Sequence, residues 1–163
     1  MKNLVHTKIP VTLGLLLLAL VACNKDDNDA EKKIKESNER LAAYITENNI
    51  TVEPTASGLY FIEIQKGNGY MPKKGQRVQV HYTGTLLDGT KFDSSIDRNQ
   101  PFSFILGSGQ VIAGWDEGLL MMEEGGKARL ILPQHLGYKD KAMSGIPAYS
   151  PLIFDVELLK ISN

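Results

Sequence analysis

Aromatic side chains are the residues of this chain best placed to form a site. Tyr82, Phe92, Phe102, Phe104, Trp115, Tyr138 and Phe154 supply most of the rings in the C-terminal two-thirds. Brought together, they would wall an apolar cavity that excludes water, where a weakly polar state of a bound molecule is favoured. For any one ring the plainer alternative is core packing. Other chemistry is poorly supplied. His6 lies near the N-terminus, and His81 and His135 stand in separate segments without partner ligands, so no metal is expected. Ser94 and Ser95 lack a nucleophile elbow, and Gly107-Ser108-Gly109 lacks the rest of a phosphate loop. Cys23 is the only cysteine, which excludes an intrachain disulfide. A net charge of -1 gives no basic field for nucleic acid. No cofactor is called for.

The elements that must position these rings read as one domain. At 163 residues, 42% hydrophobic and 23% charged, the chain can bury one ordinary core. Leu59 to Ile64 is rich in strand formers and ends at Lys66-Gly67-Asn68-Gly69. Val78, Val80 and Tyr82 alternate with Arg77, Gln79, His81 and Thr83, and Asp88-Gly89 follows as a tight turn. Phe102, Phe104 and Leu106 make a further strand with two rings on one face. The helical candidate lies between Gly107 and Gly125, with Val111, Ile112, Trp115, Leu119 and Met122 on its apolar face. Lys127 to Leu132 and Leu152 to Ile161 read as strands, the last with Phe154, Val156 and Leu158 on one side. The pattern is α+β, an antiparallel sheet packed on a single helix.

Three segments give the pattern a family likeness. They are Val80-His81-Tyr82-Thr83-Gly84 running on to Asp88-Gly89-Thr90-Lys91-Phe92-Asp93-Ser94-Ser95, then Val111-Ile112-Ala113-Gly114-Trp115, then Phe154-Asp155-Val156-Glu157-Leu158-Leu159. In order and spacing, from about Gly58 to Ser162, the chain resembles the FKBP-type peptidyl-prolyl cis/trans isomerases. The resemblance implies a curved antiparallel sheet wrapped around one short helix, with an apolar prolyl cavity between them. Tyr82, Phe92, Asp93, Phe102, Val111, Ile112, Trp115, Tyr138, Ile146 and Phe154 would line that cavity, with Trp115 as its floor. It further implies that the Ile112 N–H anchors a substrate carbonyl, that Tyr138 offers a hydroxyl, that Asp93 lies beside the twisting carbonyl and that Arg98 pairs with Asp93. Read from its own residues, Phe92-Asp93-Ser94-Ser95 has the alternative of a turn in which the carboxylate caps backbone groups, and the pocket role is preferred. Proline-containing unfolded or exported polypeptides are the implied substrates, and macrolides the implied inhibitors. The chain departs from the family pattern at Lys139, where glycine is usual, at Ala148, where a second proline often follows Pro147, and at Gln110. A peptide-binding module or holdase using the same groove without catalysis is the competing reading.

The N-terminus has a different composition. Lys2, His6 and Lys8 precede an uncharged apolar run from Ile9 to Ala22, shorter than the roughly 20 residues of a membrane-spanning helix. Leu20-Val21-Ala22-Cys23 resembles a bacterial lipobox, which implies a signal peptide over 1–22 and a diacylglycerol on Cys23 as membrane anchor. Residues 23–29 are expected to be an acidic solvated tether. An amphipathic helix with Ile34, Leu41 and Ile45 in its stripe, then a linker broken by Pro54, should fill 30–57. The domain itself is assigned to 58–163. Together these features predict a cell-envelope protein on the outer membrane, with the periplasmic and external faces both open.

Overall fold

The computed structural model describes residues 24–163. The apolar N-terminal run and Cys23 lie outside the described residues. Helix α1 spans Asn24–Glu47, strand β1 Tyr60–Gln65, β2 Arg77–Leu86, β3 Lys91–Ser94 and β4 Phe102–Ile105. Helix α2 spans Ala113–Gly118, followed by β5 Lys127–Leu132 and β6 Leu152–Ser162. The six strands form one antiparallel sheet in the order β1-β5-β6-β2-β3, and β4 shares the edge of β2 with β3.

Strand alternation decides which residues enter the core. Val78, Val80 and Tyr82 of β2, Ala128, Leu130 and Leu132 of β5, and Phe154, Val156 and Leu158 of β6 are all buried on the inner face. There they pack against Trp115, Leu119 and Met122 from the α2 region. The helix between Gly107 and Gly125 is shorter than its periodicity suggests. Within it Ala113–Gly118 is α-helical, with a 3₁₀ turn at Leu119–Met121, and Val111, in a bend, and Ile112, extended, precede it. Gly114 and Gly118 explain how close this helix lies to the sheet. A Cβ on Gly114 would stand 2.5 Å from the Leu132 side chain, and one on Gly118 2.7 Å from that of Leu130. Any larger residue would have to displace the fully buried Leu132 or Leu130 side chain or the helix itself.

On the outer face, Ile131 and Ile153 stand opposite each other in the β5–β6 register. Strict alternation would expose them, yet both are buried, because Leu41, Tyr44 and Ile45 of α1 cover them together with Ile50, Tyr60, Ile62 and Leu87. Helix α1 therefore docks on its own domain. Two expectations for it need correction. Within the described residues the helix runs from Asn24, so the segment 24–29 read as part of a solvated tether is helical. The docking stripe also differs, since Ile34 is exposed while Ser37 is fully buried. Helix α1 also contacts the 3₁₀ turn at Gln134–Leu136, and a buried serine on the helix is a feature that hydrophobicity patterning does not register. Pairs such as Asp29–Lys33, at 2.7 Å, lie on the solvated side. Among the described residues no helix is long and apolar enough to cross a membrane.

The linker from α1 is pinned to α2. Thr55 Oγ1 donates to Glu117 Oε1 at 2.7 Å and Ser57 Oγ to Glu117 Oε2 at 2.6 Å, while the Leu59 N–H donates to Thr55 Oγ1 at 3.2 Å. Strand β3 is the element that periodicity misses, because four residues are too few to establish an alternation.

Candidate active site

The inner face of the sheet and the start of α2 enclose a cavity of about 580 Å³, within the range of small-ligand pockets. Each wall follows from an element already placed. β2 contributes Tyr82, β3 contributes Phe92 and Asp93, β4 contributes Phe102 and β6 contributes Phe154. Val111 and Ile112 come from the chain leading into α2, and Trp115 from its first turn. Tyr138 and Ile146 close the far side from the loop after β5, where Met143 and Ile146 form an isolated antiparallel bridge.

The rings pack on one another through edges. Trp115 is 4% exposed and lies 4.9 Å from Tyr82 and 5.3 Å from Phe154 between centroids, both in T-shaped contact. Phe92 meets Phe154 edge-on at 5.6 Å, and Phe102 stacks on Phe104 at 5.5 Å. Such mutual contacts fix ring orientation more firmly than aliphatic packing does. Phe102 is 38% exposed, which sets it at the cavity mouth, whereas Phe104 is buried behind it in the core.

One polar cluster interrupts the apolar wall. The Tyr82 hydroxyl donates to Asp93 Oδ2 and accepts from Arg98 Nη2 at 3.1 Å, while Arg98 Nη1 donates to Asp93 Oδ1. Asp93 thus belongs to strand β3 and the cavity wall, with its carboxylate held by Tyr82 and Arg98. Burial pushes the Asp93 carboxyl up, but the Tyr82 and Arg98 hydrogen bonds and the arginine charge outweigh it and hold the group below its usual value. Burial, then the bond to Asp93, raises the Tyr82 phenol, and burial together with the Asp93 charge raises that of Tyr138. Both phenols thus stay protonated and able to donate at neutral pH. The Ile112 N–H has no acceptor among the described residues.

The cavity brings together Tyr82, Phe92, Asp93, Phe102, Val111, Ile112, Trp115, Tyr138, Ile146 and Phe154, all expected from the sequence. Arg98 is the exception. It stands behind Asp93 and Tyr82 instead of lining the wall, so its contact is with those side chains. Gly109, Met143 and Ser144 line the cavity without having been singled out. The last two sit in an irregular loop without periodicity, and only the bridge to Ile146 turns them inward. Among the described residues no group of three or more His, Cys, Asp or Glu side chains could hold a metal.

Comparison with known proteins agrees with this geometry. The family model described as FKBP-type peptidyl-prolyl cis-trans isomerase matches residues 69–159. The chain is 47% identical over 139 residues to the FKBP-type peptidyl-prolyl cis-trans isomerase FkpA of Aeromonas hydrophila, covering 85% of this chain and 50% of that protein. It is 53% identical over 106 residues to the peptidyl-prolyl cis-trans isomerase Fkbp12 of Drosophila melanogaster, covering 64% of this chain and 98% of the relative. The crystal structure of FkpA from Escherichia coli superposes with a TM-score of 0.73 at 37% identity, over 83% of this chain and 64% of that one. The chain thus spans half the length of the Aeromonas relative and nearly all of the shorter one. With a family model covering more than half its residues, a matching fold and a cavity built from the same motifs, the chain belongs to the FKBP-type peptidyl-prolyl cis-trans isomerases.

Proposed function

We propose that the chain accelerates rotation about X-Pro bonds in exported polypeptides by holding the twisted amide in the aromatic cavity. The observation that carries this reading is the single wall on which an arginine-held carboxylate, Asp93, stands among Tyr82, Phe92, Trp115 and Phe154. Rotation must break amide resonance against about 18–20 kcal/mol, and without help it takes tens to hundreds of seconds. A twisted amide has lost much of its charge separation, so a water-excluding apolar wall favours it over the planar form. In this reading the Ile112 N–H takes a substrate carbonyl beside the proline and fixes the peptide's register. Tyr138 supplies a second donor. Asp93, kept ionised by Arg98, faces the carbonyl carbon side of the twisting bond. Every step is positioning and electrostatics, with no covalent intermediate.

Cys23, as the lipid-bearing residue of a lipobox, would tether the domain to the outer membrane, and α1 would hold it off the surface. Exported and unfolded proline-containing chains are then the substrates within reach, and macrolides the inhibitor class that would compete for the cavity.

The reading is tested by exchange spectroscopy on a proline peptide with the full chain. Asp93→Ala and Phe92→Ala should lower the rate at least tenfold with the fold retained. A folded wild-type chain that gives no rate above background would sink the catalytic reading. Suppression of client aggregation that persists in both variants would instead favour a holdase using the same groove.

A further inference from the structure

Strand β2 has two partners along one edge, and they do not meet. β3 pairs over Thr83–Thr85 and β4 over Arg77–Val80, which leaves His81 and Tyr82 with no strand opposite on that side. The Tyr82 N–H and C=O both face this gap. Ser95, fully buried, fills it. Its N–H donates to Tyr82 O at 3.0 Å, and its Oγ accepts the Tyr82 N–H at 2.8 Å and lies 3.3 Å from Tyr82 O. On the outer side, His81 Nδ1 lies 2.9 Å from the same Oγ.

Ser95 also opens the turn that carries Arg98. The Gln100 N–H donates back to Ser95 O at 3.0 Å, and the Asn99 N–H to Ile96 O at 2.9 Å. The turn is thus closed on itself, and its arginine reaches forward to both Asp93 and the Tyr82 hydroxyl. One hydroxyl therefore ties the backbone of a cavity residue to the segment whose guanidinium holds the cavity's carboxylate.

The protons in this contact can be accounted for. A serine hydroxyl has one proton and two lone pairs, and the Tyr82 N–H occupies one lone pair. A His81 ring with a bare Nδ1 takes the hydroxyl proton, while a ring protonated there fills the second lone pair and frees the proton for Tyr82 O. Glu157 stands opposite His81 on β6 and is itself engaged by Lys127 at 3.4 Å. Either ring state leaves Ser95 Oγ fully partnered, so the contact is an anchor and not a pH switch.

We propose that Ser95, braced by His81, is a positioning residue for the cavity: it locks Tyr82 to the turn at 95–100 and thereby seats Arg98 on Asp93 and the Tyr82 hydroxyl. The proposal rests on the isomerase reading of the cavity. It is tested on the full chain by NMR titration of the Asp93 carboxyl alongside the exchange rate. Ser95→Ala should move the Asp93 titration upward and lower kcat/KM about tenfold, the scale of a small misplacement of active groups. Neither effect should add to that of Arg98→Leu, because both changes undo the same contact. His81→Leu should shift both readouts in the same direction by less, and His81→Asn, which can again give or take a hydrogen bond, should recover most of the loss. An unchanged Asp93 titration in folded Ser95→Ala, or losses that add fully to those of Arg98→Leu, would overturn the proposal. Should Ser95→Ala fail to fold, His81→Leu carries the same cycle, since it leaves the Tyr82 N–H on Ser95. An inactive wild-type chain would defeat the isomerase reading alone, because the Asp93 titration still reports whether Ser95 seats Arg98.

Discussion

Gly84 lies directly beneath the ring of Phe92. A Cβ at position 84 would stand 2.6 Å from two of its ring carbons and 2.9 Å from the ring of Phe154. Neither ring can yield freely, since each is braced edge-on by the other. Gly84→Ala should therefore push Phe92 into the cavity, costing about 1–3 kcal/mol of stability as an overpacked site does. The exchange rate should fall at least tenfold, well beyond what the stability loss explains while the protein remains folded. Urea unfolding and the exchange rate on one sample check both.

This contact also shows where reading the sequence stops. The strands β2 and β6 could be drawn from alternation, because their buried faces repeat every second residue over long stretches. The aromatic wall followed from the family resemblance that the three motifs carry, while each ring taken alone could equally have been core. Tertiary proximity governs the remainder. Nothing local to Gly84 announces two rings above it, the family likeness puts the loop of Met143 and Ser144 beside the pocket without saying which of its residues line it, and buried Ser37 defies the rule that docking stripes are apolar. Arg98 was found as a residue of the site, but only geometry places it behind Asp93 and off the wall.

Tyr138 separates binding from stability. Its hydroxyl has no hydrogen-bond partner among the described residues, while its ring packs against the core from the cavity side. Removing the hydroxyl should leave stability within about 0.5 kcal/mol. If the hydroxyl donates to the substrate, Tyr138→Phe should lower kcat/KM about tenfold, the equivalent of one hydrogen bond of about 1.4 kcal/mol. The exchange rate and thermal unfolding of the variant check this.

Asp93 sets an acid limit on the site. Its folded pKa lies below the ordinary 3.8 because the Tyr82 and Arg98 contacts outweigh burial. A carboxylate depressed in this way contributes its stability in full above the unfolded value, about 3.9, and loses it as pH falls through the folded one. The difference in unfolding free energy between the wild-type chain and Asp93→Asn should accordingly be flat between about pH 5 and 8 and shrink below about pH 4. Denaturant unfolding across a pH series measures it. A difference that changed mainly around neutral pH would point to another group.

Lys139 holds a left-handed backbone, with φ at 58°, at the position where the family usually carries glycine. A side chain costs about 1–2 kcal/mol in that region, and glycine gives some of this back as unfolded-chain entropy. The Lys139 carbonyl accepts the Tyr149 N–H at 2.7 Å, a backbone bond that glycine would keep. Lys139→Gly should thus stabilise the chain by about 0.5–1 kcal/mol, read as a higher urea midpoint at unchanged slope.

Helix α1 supplies a control in which stability and catalysis part company. Leu41 is buried against Ile131 and Ile153 on the face of the sheet turned away from the cavity. Truncating it removes apolar contact and leaves a void beneath the helix, a change that costs about 2–5 kcal/mol in a closed core. At this site the helix can lift away, so the loss should appear first as local opening and not as global unfolding. Leu41→Ala should raise amide hydrogen exchange throughout Asn24–Glu47 while the amides of Val80 and Leu130 keep their protection. The cavity is built from the opposite face, and the linker that joins α1 to it is separately pinned by Glu117 through Thr55 and Ser57. The exchange rate on a proline peptide should therefore stay within about twofold of wild type, since stability changes far from the chemistry need not touch it. A larger fall would mean that docking of α1 reaches the cavity, and Glu117→Gln, which cuts the linker's anchor, against Arg40→Leu, which cuts the Arg40 bond to Tyr149 O at 3.3 Å in the loop beside the cavity, would show by which route.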